Sequence, residues 1–241
     1  MCLKSSPTAE NPNREIPHNP CINAGAMMTM SMVYPDYNRK ARLEKIMRVW
    51  KALSGGDDAP IGYDAPTYKS ESGSADRNWC LGYMMKGSGA FPPCFSTLDD
   101  TLELYFQVCS ILNTNEGMAI MAATLANGGL NPLTRIRVFS ADHVRNVLPI
   151  MLASGMYDYS GQWAYDVGVP AKSGVGGCVF FVVPNVCGIS IWSPRLDEVG
   201  NSTRGTEAPP SADPHASYHA YHAYHAYHAH DSAHCTPLHP T

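Results

Sequence analysis

Apolar residues recur every three to four positions through about the first 150 residues, the spacing of helices that bury one face. Six helices are predicted in this way: from Asn23 to about 33, over about 39–53, over about 76–86, behind Thr97, over about 115–126 and behind Ser140. The last of them is predicted to face inward with Val144, Val147, Leu148, Met151 and Leu152. The polar stretch between Asp57 and Asp76 predicts loops and turns.

From about residue 162 the pattern changes to short apolar runs. These runs predict strands near 163–167, over 178–183 and over 187–192. Pro184-Asn185 interrupts an uncharged stretch between 173 and 194, which favours a buried hairpin over a helix that crosses a membrane. Helices followed by an antiparallel sheet predict an α+β fold.

Both ends of the chain differ from its middle. Residues 1–16 form an irregular, proline-containing remnant, and 17–205 carry the predicted domain. Residues 206–241 hold eight of the ten histidines and include Tyr-His-Ala repeats from Tyr218 to Ala229, a low-complexity composition for which we expect disorder. Such a tract could chelate metal, but a solvated repeat is the simpler interpretation, and no metal site is predicted.

Composition narrows the class of protein. With 44% hydrophobic and 16% charged residues, the chain is too apolar to be wholly disordered. A net charge of −4 leaves no basic excess, so we expect neither nucleic acid nor a membrane surface as a partner. No two of the eight cysteines are spaced as C-x-x-C, which argues against zinc ribbons and favours buried free thiols.

Three groups of residues could carry chemistry, and each has a structural alternative. Lys172-Ser173-Gly174 beside a strand is one mark of serine hydrolases of the penicilloyl type, but three common residues also occur by chance. Glu71 and Asn78 could hold a charged, amide-bearing ligand, or simply cap turns. Tyr157 could move a proton, or pack with its hydroxyl bonded.

A series of short blocks follows in order between about residues 17 and 205. They are HNP at 18–20 with NAGA at 23–26, SE at 70–71 with DRN at 76–78, YFQ at 105–107, MAATLANGG at 121–129, VRN at 144–146, GMYD at 155–158, PAKSGV at 170–175 and VPNV at 183–186. Together these blocks resemble the glutaminases, and most of all the animal kidney- and liver-type enzymes.

The resemblance implies a β-lactamase-like fold, with a helical cluster packed on an antiparallel sheet that lacks its N-terminal strands. It implies hydrolysis of L-glutamine to L-glutamate and ammonia without a cofactor, in a homotetramer. Animal members suggest a mitochondrial location; no transit peptide is visible, so the cytoplasm is the alternative.

The resemblance also implies roles for individual residues. Asn23 would hydrogen-bond the substrate, Glu71 would meet its α-ammonium group, Asn78 would bind its α-carboxylate, and Tyr105 would line the pocket. The hydroxyl of Tyr157 would move the nucleophile's proton. The backbone N–H of Val175 would supply half of the oxyanion hole.

The family's nucleophile and base form a Ser-x-x-Lys motif upstream of these blocks, and this sequence contains no such motif. Met1-Cys2-Leu3-Lys4 places Met where Ser belongs, and Cys2 lies one position away. We therefore expect this chain alone to release no ammonia from glutamine. The alternatives are a catalytically inactive member that binds glutamine or associates with full-length subunits, and a partial gene product without an independent fold.

Overall fold

The structure is a computed structural model that describes residues 3–207 and 233–237. The chain divides into two compact units. Unit 1 contains the residues up to 48 together with 61–112, and unit 2 contains 49–60 and the residues from 113 onwards.

Unit 1 is mostly helical. Its elements are β1 (Leu3–Ser5), β2 (Glu15–Pro17), α1 (Asn23–Met32), α2 (Arg39–Leu53, whose end belongs to unit 2), β3 (Gly62–Tyr63), α3 (Ala65–Gly73), α4 (Asp76–Gly87), α5 (Leu98–Cys109) and β4 (Ile111–Leu112). β1 pairs with β2 and β3 with β4, both antiparallel. Helices α1, α4 and α5 pack around a buried core that includes Met27, Met85, Leu102 and Phe106.

Local chemistry explains where these helices begin. Thr97 caps α5, as predicted, by accepting a hydrogen bond from the N–H of Asp100 at 3.1 Å. At α1, a Cβ on Gly25 would lie 2.1 Å from the carbonyl oxygen of Asn19, so the helix starts against the backbone and only glycine fits.

A buried arginine closes the other end of α1. The Arg42 guanidinium donates to the carbonyl oxygens of Met30 and Val33, and to the carboxylate of Asp100 at 3.1 Å. Carbonyls that α1 leaves unpaired at its end are thereby satisfied, and the end of α1 is tied to the start of α5.

Two predictions in unit 1 were wrong. The stretch predicted as loops contains α3, which Asp64 caps through the N–H of Thr67 at 2.9 Å. This helix buries none of its residues, so it leaves no apolar periodicity in the sequence. The irregular start of the chain contains the short pair β1 and β2, and Leu3 of β1 reaches the core.

Unit 2 combines helices with a four-stranded antiparallel sheet. Its elements are α6 (Asn115–Ala126), α7 (Ala141–Ser154), a 3-10 turn (Tyr157–Tyr159), α8 (Ser160–Asp166), β5 (Ala171–Ser173), β6 (Cys178–Val183), β7 (Cys187–Trp192), α9 (Thr203–Glu207) and β8 (Ala233–Pro237). The strand order is β5-β6-β7-β8. Helix α6 lies directly on the sheet, since a Cβ on Gly188 would be 1.9 Å from the backbone nitrogen of Ala123.

The predicted hairpin is confirmed as β6 and β7, paired from Cys178 with Trp192 to Val183 with Cys187. The predicted strand near 163–167 was wrong, because α8 occupies that position. Trp163 is buried there and donates its indole N–H to the carbonyl of Val169 at 2.8 Å. One turn of helix around a large buried ring mimics a short apolar strand.

Other predictions need correction or lie outside the described residues. Val147 does not face inward, since 42% of it is exposed. Of the described cysteines only Cys187 is buried, while Cys80, Cys94 and Cys109 are exposed. Most of the predicted tail, including 208–232, lies outside the described residues, but β8 within it pairs with β7. Within the described residues, no helix is long and apolar enough to cross a membrane.

Candidate active site

Two asparagines at the starts of two helices of unit 1 are joined directly. Asn23 is the first residue of α1, and Asn78 lies in the first turn of α4. The amide Nδ2 of Asn23 donates to Oδ1 of Asn78 at 2.9 Å. Backbone N–H groups at a helix start attract anions, so a carboxylate bound beside this pair would meet several donors.

A carboxylate, a phenol and a thiol form a second group in unit 1. Tyr105 and Cys109 are one turn apart on α5 and hydrogen-bonded through their side chains, and Glu71 of α3 lies close enough for its charge to act on the thiol. Although Cys109 as a residue is exposed, protein atoms around its sulfur exclude water and raise the pKa of the thiol. The Tyr105 hydrogen bond lowers this pKa, and the negative charge of Glu71 raises it. Glu71 itself is exposed, so its charge is available to a cation.

In unit 2, the backbone of Tyr157 is held in a left-handed conformation, with φ at 54°. Ser160 Oγ accepts from the N–H of Met156 at 2.9 Å and donates to the carbonyl of Tyr157 at 2.7 Å. The amide Nδ2 of buried Asn201 donates to the carbonyl of Met156 at 3.1 Å. These contacts fix the turn, and with it the direction of the phenol.

The turn is also fixed from the preceding side. Gly155 accepts a hydrogen bond from the N–H of Ser173 at 2.9 Å. A Cβ at Gly155 would lie 1.8 Å from the carbonyl oxygen of Ala171, so the chain approaches β5 as closely as glycine allows. Tyr157 therefore stands at a fixed place beside β5.

The Lys172-Ser173-Gly174 box lies next to Tyr157. Lys172 Nζ is 5.0 Å from the centroid of the Tyr157 ring and also donates to the carbonyl of Ser173. Ser173 is buried, and its Oγ has no hydrogen-bond partner among the described residues. A cation over the ring and a buried hydroxyl make this corner of the sheet polar.

Val175 stands at the tip of the turn that joins β5 to β6. The turn closes through the N–H of Gly177, which donates to the carbonyl of Gly174 at 3.0 Å. Within residues 3–207 the N–H of Val175 makes no hydrogen bond with another backbone group, and 73% of the residue is exposed. A free N–H at a rigid turn is the type of donor that stabilises an oxyanion.

The structure thus joins Asn23 with Asn78, and Tyr157 with the box that precedes Val175. Glu71 and Tyr105 each act on Cys109. Sequence reasoning missed Cys109, Ser160 and Asn201. The four-residue spacing from Tyr105 could have indicated Cys109. Nothing local indicates Asn201, which lies far along the chain from the turn it holds. Among the described residues, no group of three or more His, Cys, Asp or Glu side chains could hold a metal ion.

Comparison with known proteins identifies the family of this chain. The family model described as Glutaminase matches residues 5–221. The chain belongs to the glutaminase family. The mitochondrial liver isoform of glutaminase from Mus musculus is 44% identical over 190 residues, which cover 79% of this chain and 31% of that glutaminase. A glutaminase from Microcystis aeruginosa is 44% identical over 198 residues, which cover 82% of this chain and 56% of the bacterial one.

The chain thus spans about a third of the length of its mouse relative and about half of its bacterial relative. The solved structure of the probable glutaminase ybaS is 37% identical and gives a TM-score of 0.73, covering 78% of this chain and 59% of that one. The α+β, β-lactamase-like fold predicted from the sequence is therefore confirmed.

Proposed function

We propose that this chain is part of a glutaminase that hydrolyses L-glutamine to L-glutamate and ammonia. Glu71 binds the α-ammonium group, Asn78 binds the α-carboxylate end, Asn23 hydrogen-bonds the substrate, and Tyr105 lines the pocket. An amino acid zwitterion requires one anion and several donors, and these side chains supply both.

The remaining residues act on the amide. In the proposed reaction the oxygen of a nucleophilic serine bonds to the amide carbon, the carbon–nitrogen bond breaks, and the serine proton leaves with ammonia. Water then adds to the acyl carbon, and the bond to serine breaks as glutamate leaves. Tyr157 moves the proton, and the Val175 N–H stabilises the negative oxygen.

One observation carries this proposal: the hydrogen bond between Asn23 and Asn78 joins two helix starts whose side-chain amides the family resemblance assigns to substrate binding. A pair that only capped its own helices would bond backbone N–H groups, as Thr97 does at α5. Neither Asn is the residue that precedes its helix, and the side-chain hydrogen bond that the two share joins them to each other rather than to a backbone N–H.

The test is glutamine binding to the 241-residue chain, measured by titration calorimetry. Glu71→Gln should weaken binding at least tenfold, because an ion pair with the ammonium group is lost. Glu44→Gln, at an exposed glutamate of α2, is the control and should bind as the parent does. Equal affinity for all three proteins, or no binding to the parent, would overturn the proposal.

A second candidate is a family member that binds glutamine without turnover or associates with full-length subunits. It is favoured by one sequence fact, that no serine is followed three residues later by lysine. Absence of ammonia release by the purified chain is expected of both candidates. A rate of release that survives Cys2→Ala and a metal chelator would exclude this one.

We also propose a homo-oligomer, a tetramer as in the family, and a mitochondrial location as in the mouse relative. Two large apolar side chains of α4, Tyr83 and Met84, support the oligomer, since they are 59% and 63% exposed. Sedimentation velocity tests the assembly, and imaging of the tagged protein tests the location.

A further inference from the structure

One segment of unit 2, residues 192–202, contacts both the turn that carries Tyr157 and the turn that carries Val175. It begins with the last residue of β7 and ends just before α9. The Tyr157 turn comprises residues 155–160, and the Val175 turn comprises residues 174–177. Although the two turns come from different parts of the chain, each is hydrogen-bonded to this one segment.

The first end of the segment holds the Val175 turn. The indole Nε1 of Trp192 donates to the carbonyl oxygen of Gly176 at 2.9 Å. The N–H of Ser193 donates to the carbonyl oxygen of Gly177, also at 2.9 Å. A Cβ on Gly177 would lie 2.6 Å from the carbonyl oxygen of Ser193, so turn and segment are in direct backbone contact. The two peptide units that follow Val175 are thereby fixed, and with them the direction of its N–H.

The other end of the segment holds the Tyr157 turn. The amide Nδ2 of Asn201 donates to the carbonyl of Met156 at 3.1 Å, and a Cβ on Gly200 would lie 3.9 Å from the Tyr157 ring. Asn201 is wholly buried, and its Oδ1 has no hydrogen-bond partner among the described residues. Because burial of an unpaired acceptor costs stability, stability alone does not account for an asparagine at this position.

The two ends of the segment are joined to each other. The hydroxyl of Ser202 donates to the carbonyl of Ser193 at 3.0 Å, and both residues are buried. Between them, Oδ1 of Asp197 accepts from the N–H of Asn201 at 2.8 Å, and the N–H of Asp197 donates to the carbonyl of Asn201 at 2.7 Å. These bonds close the segment into a loop whose ends keep a fixed separation.

We propose that the segment 192–202 aligns the Val175 N–H and the Tyr157 hydroxyl with each other. Trp192 and Asn201 are positioning residues for the two groups, and Ser202 is the joint between them. This inference rests on the proposed function. An oxyanion donor acts at about 2.7–3.1 Å from the oxygen that becomes negative, and a misplacement of about 1 Å can cost roughly 10²-fold in rate. Two groups that act on one amide therefore need a common support, which this segment supplies.

The experiment measures both groups by NMR in the 241-residue chain, through the order parameter of the Val175 N–H and the ¹³C signal of Tyr157 Cζ. Ser202→Ala breaks the joint, so it should lower the order parameter from about 0.85 to below about 0.6 and also shift the Tyr157 signal. Ser110→Ala is the matched control. Ser110 is a buried serine of unit 1 that donates to the carbonyl of Phe106 at 2.8 Å, and its loss should leave both signals unchanged.

A second variant keeps the test decisive if Ser202→Ala does not fold. Trp192 is 48% exposed, and Trp192→Phe keeps an aromatic ring while it removes the N–H donor to Gly176. It should lower the order parameter of Val175 and leave the Tyr157 signal as in the parent. An unchanged Val175 in Trp192→Phe, a folded Ser202→Ala in which only one of the two groups changes, or equal changes in Ser110→Ala would overturn the inference.

Kinetics separate this inference from the proposed function. In a longer glutaminase that carries the same residues, Trp192→Phe should lower kcat about tenfold or more with KM for glutamine nearly constant, because the substrate-binding side chains are untouched. A merely structural role would leave both constants of the folded fraction unchanged. Altered NMR signals with an unchanged kcat contradict the proposed role of the Val175 N–H and leave the assignment of the segment standing. Unaltered signals with a lowered kcat overturn the inference and leave the proposed function standing.

Discussion

Asn23 and Asn78 share a hydrogen bond of 2.9 Å between their side-chain amides, although 55 positions separate them in the sequence. Because the bond is exposed, it adds little to stability, and its value lies in orienting both amides. The bond also fixes which end of the Asn78 amide remains available: its Oδ1 is occupied, so its NH₂ group faces outward as a donor.

We expect Asn23→Ala and Asn78→Ala each to weaken glutamine binding, and the double variant to lose about 1 kcal/mol less than the sum of the two. The free energy of unfolding should change by less than about 1 kcal/mol in each case. Calorimetric titration and urea unfolding measure the two quantities. Asn13→Ala, at an exposed asparagine, serves as the control, and strict additivity would show that the pair does not act as a unit.

Glu71 and Tyr157 should differ in their kinetic effects in a longer glutaminase that carries both residues. Glu71→Gln removes a contact made equally in ground and transition states, so KM should rise while kcat changes little. Tyr157→Phe removes a hydroxyl needed as the proton moves, so kcat should fall by roughly 10²-fold or more with KM nearly constant. Steady-state rates and melting temperatures separate these outcomes from mere loss of stability, which would leave both constants of the folded fraction unchanged.

The thiol of Cys109 reports on the Glu71–Tyr105 group. Because burial raises the pKa of Cys109, its alkylation by iodoacetamide should increase only at a pH above the usual thiol value. Glu71→Gln removes a negative charge and should shift the alkylation profile to lower pH. Tyr105→Phe removes the hydrogen bond that favours the thiolate and should shift it to higher pH. Mass spectrometry of the peptide that contains Cys109 gives the alkylation rates. Identical pH profiles for the parent and both variants would show that neither Glu71 nor Tyr105 acts on the thiol of Cys109.

Two glycines near the Tyr157 turn should respond oppositely to a methyl group. Gly155→Ala places Cβ against the carbonyl of Ala171 and should lower the free energy of unfolding by about 3 kcal/mol or more. Gly161→Ala, on α8 with no atom within 4 Å of the new Cβ, should raise it by about 0.5 kcal/mol. Urea unfolding of the two variants side by side checks both signs.

Much of the fold could be predicted because its signals are local. The helices from 115 to 126 and behind Thr97 and Ser140 carry apolar stripes and caps, and the β6–β7 hairpin carries a Pro-Asn turn. Helix α3 could not be predicted, because it buries no side chain and therefore selects no apolar period. α8 was predicted as a strand because one buried ring dominates its short sequence.

The sequence could predict which residues belong to the site, through the family resemblance, but not which of them contact each other. Spacing alone favoured Glu71 and Asn78 as caps, and it gave no sign that Asn23 bonds Asn78 across two helices. The support of the Tyr157 turn by Asn201 is a tertiary contact between distant parts of the chain. Such contacts depend on how elements pack, which no local pattern encodes.

Tyr157 occupies a backbone conformation that suits glycine, at a cost of roughly 1–2 kcal/mol to a residue with a side chain. Any redesign of this chain that optimised thermal stability alone would choose glycine at that position and discard the phenol first. Folding and chemistry therefore place opposite demands on one residue. A stabilised variant of this chain keeps the phenol only if position 157 is left unchanged during the redesign.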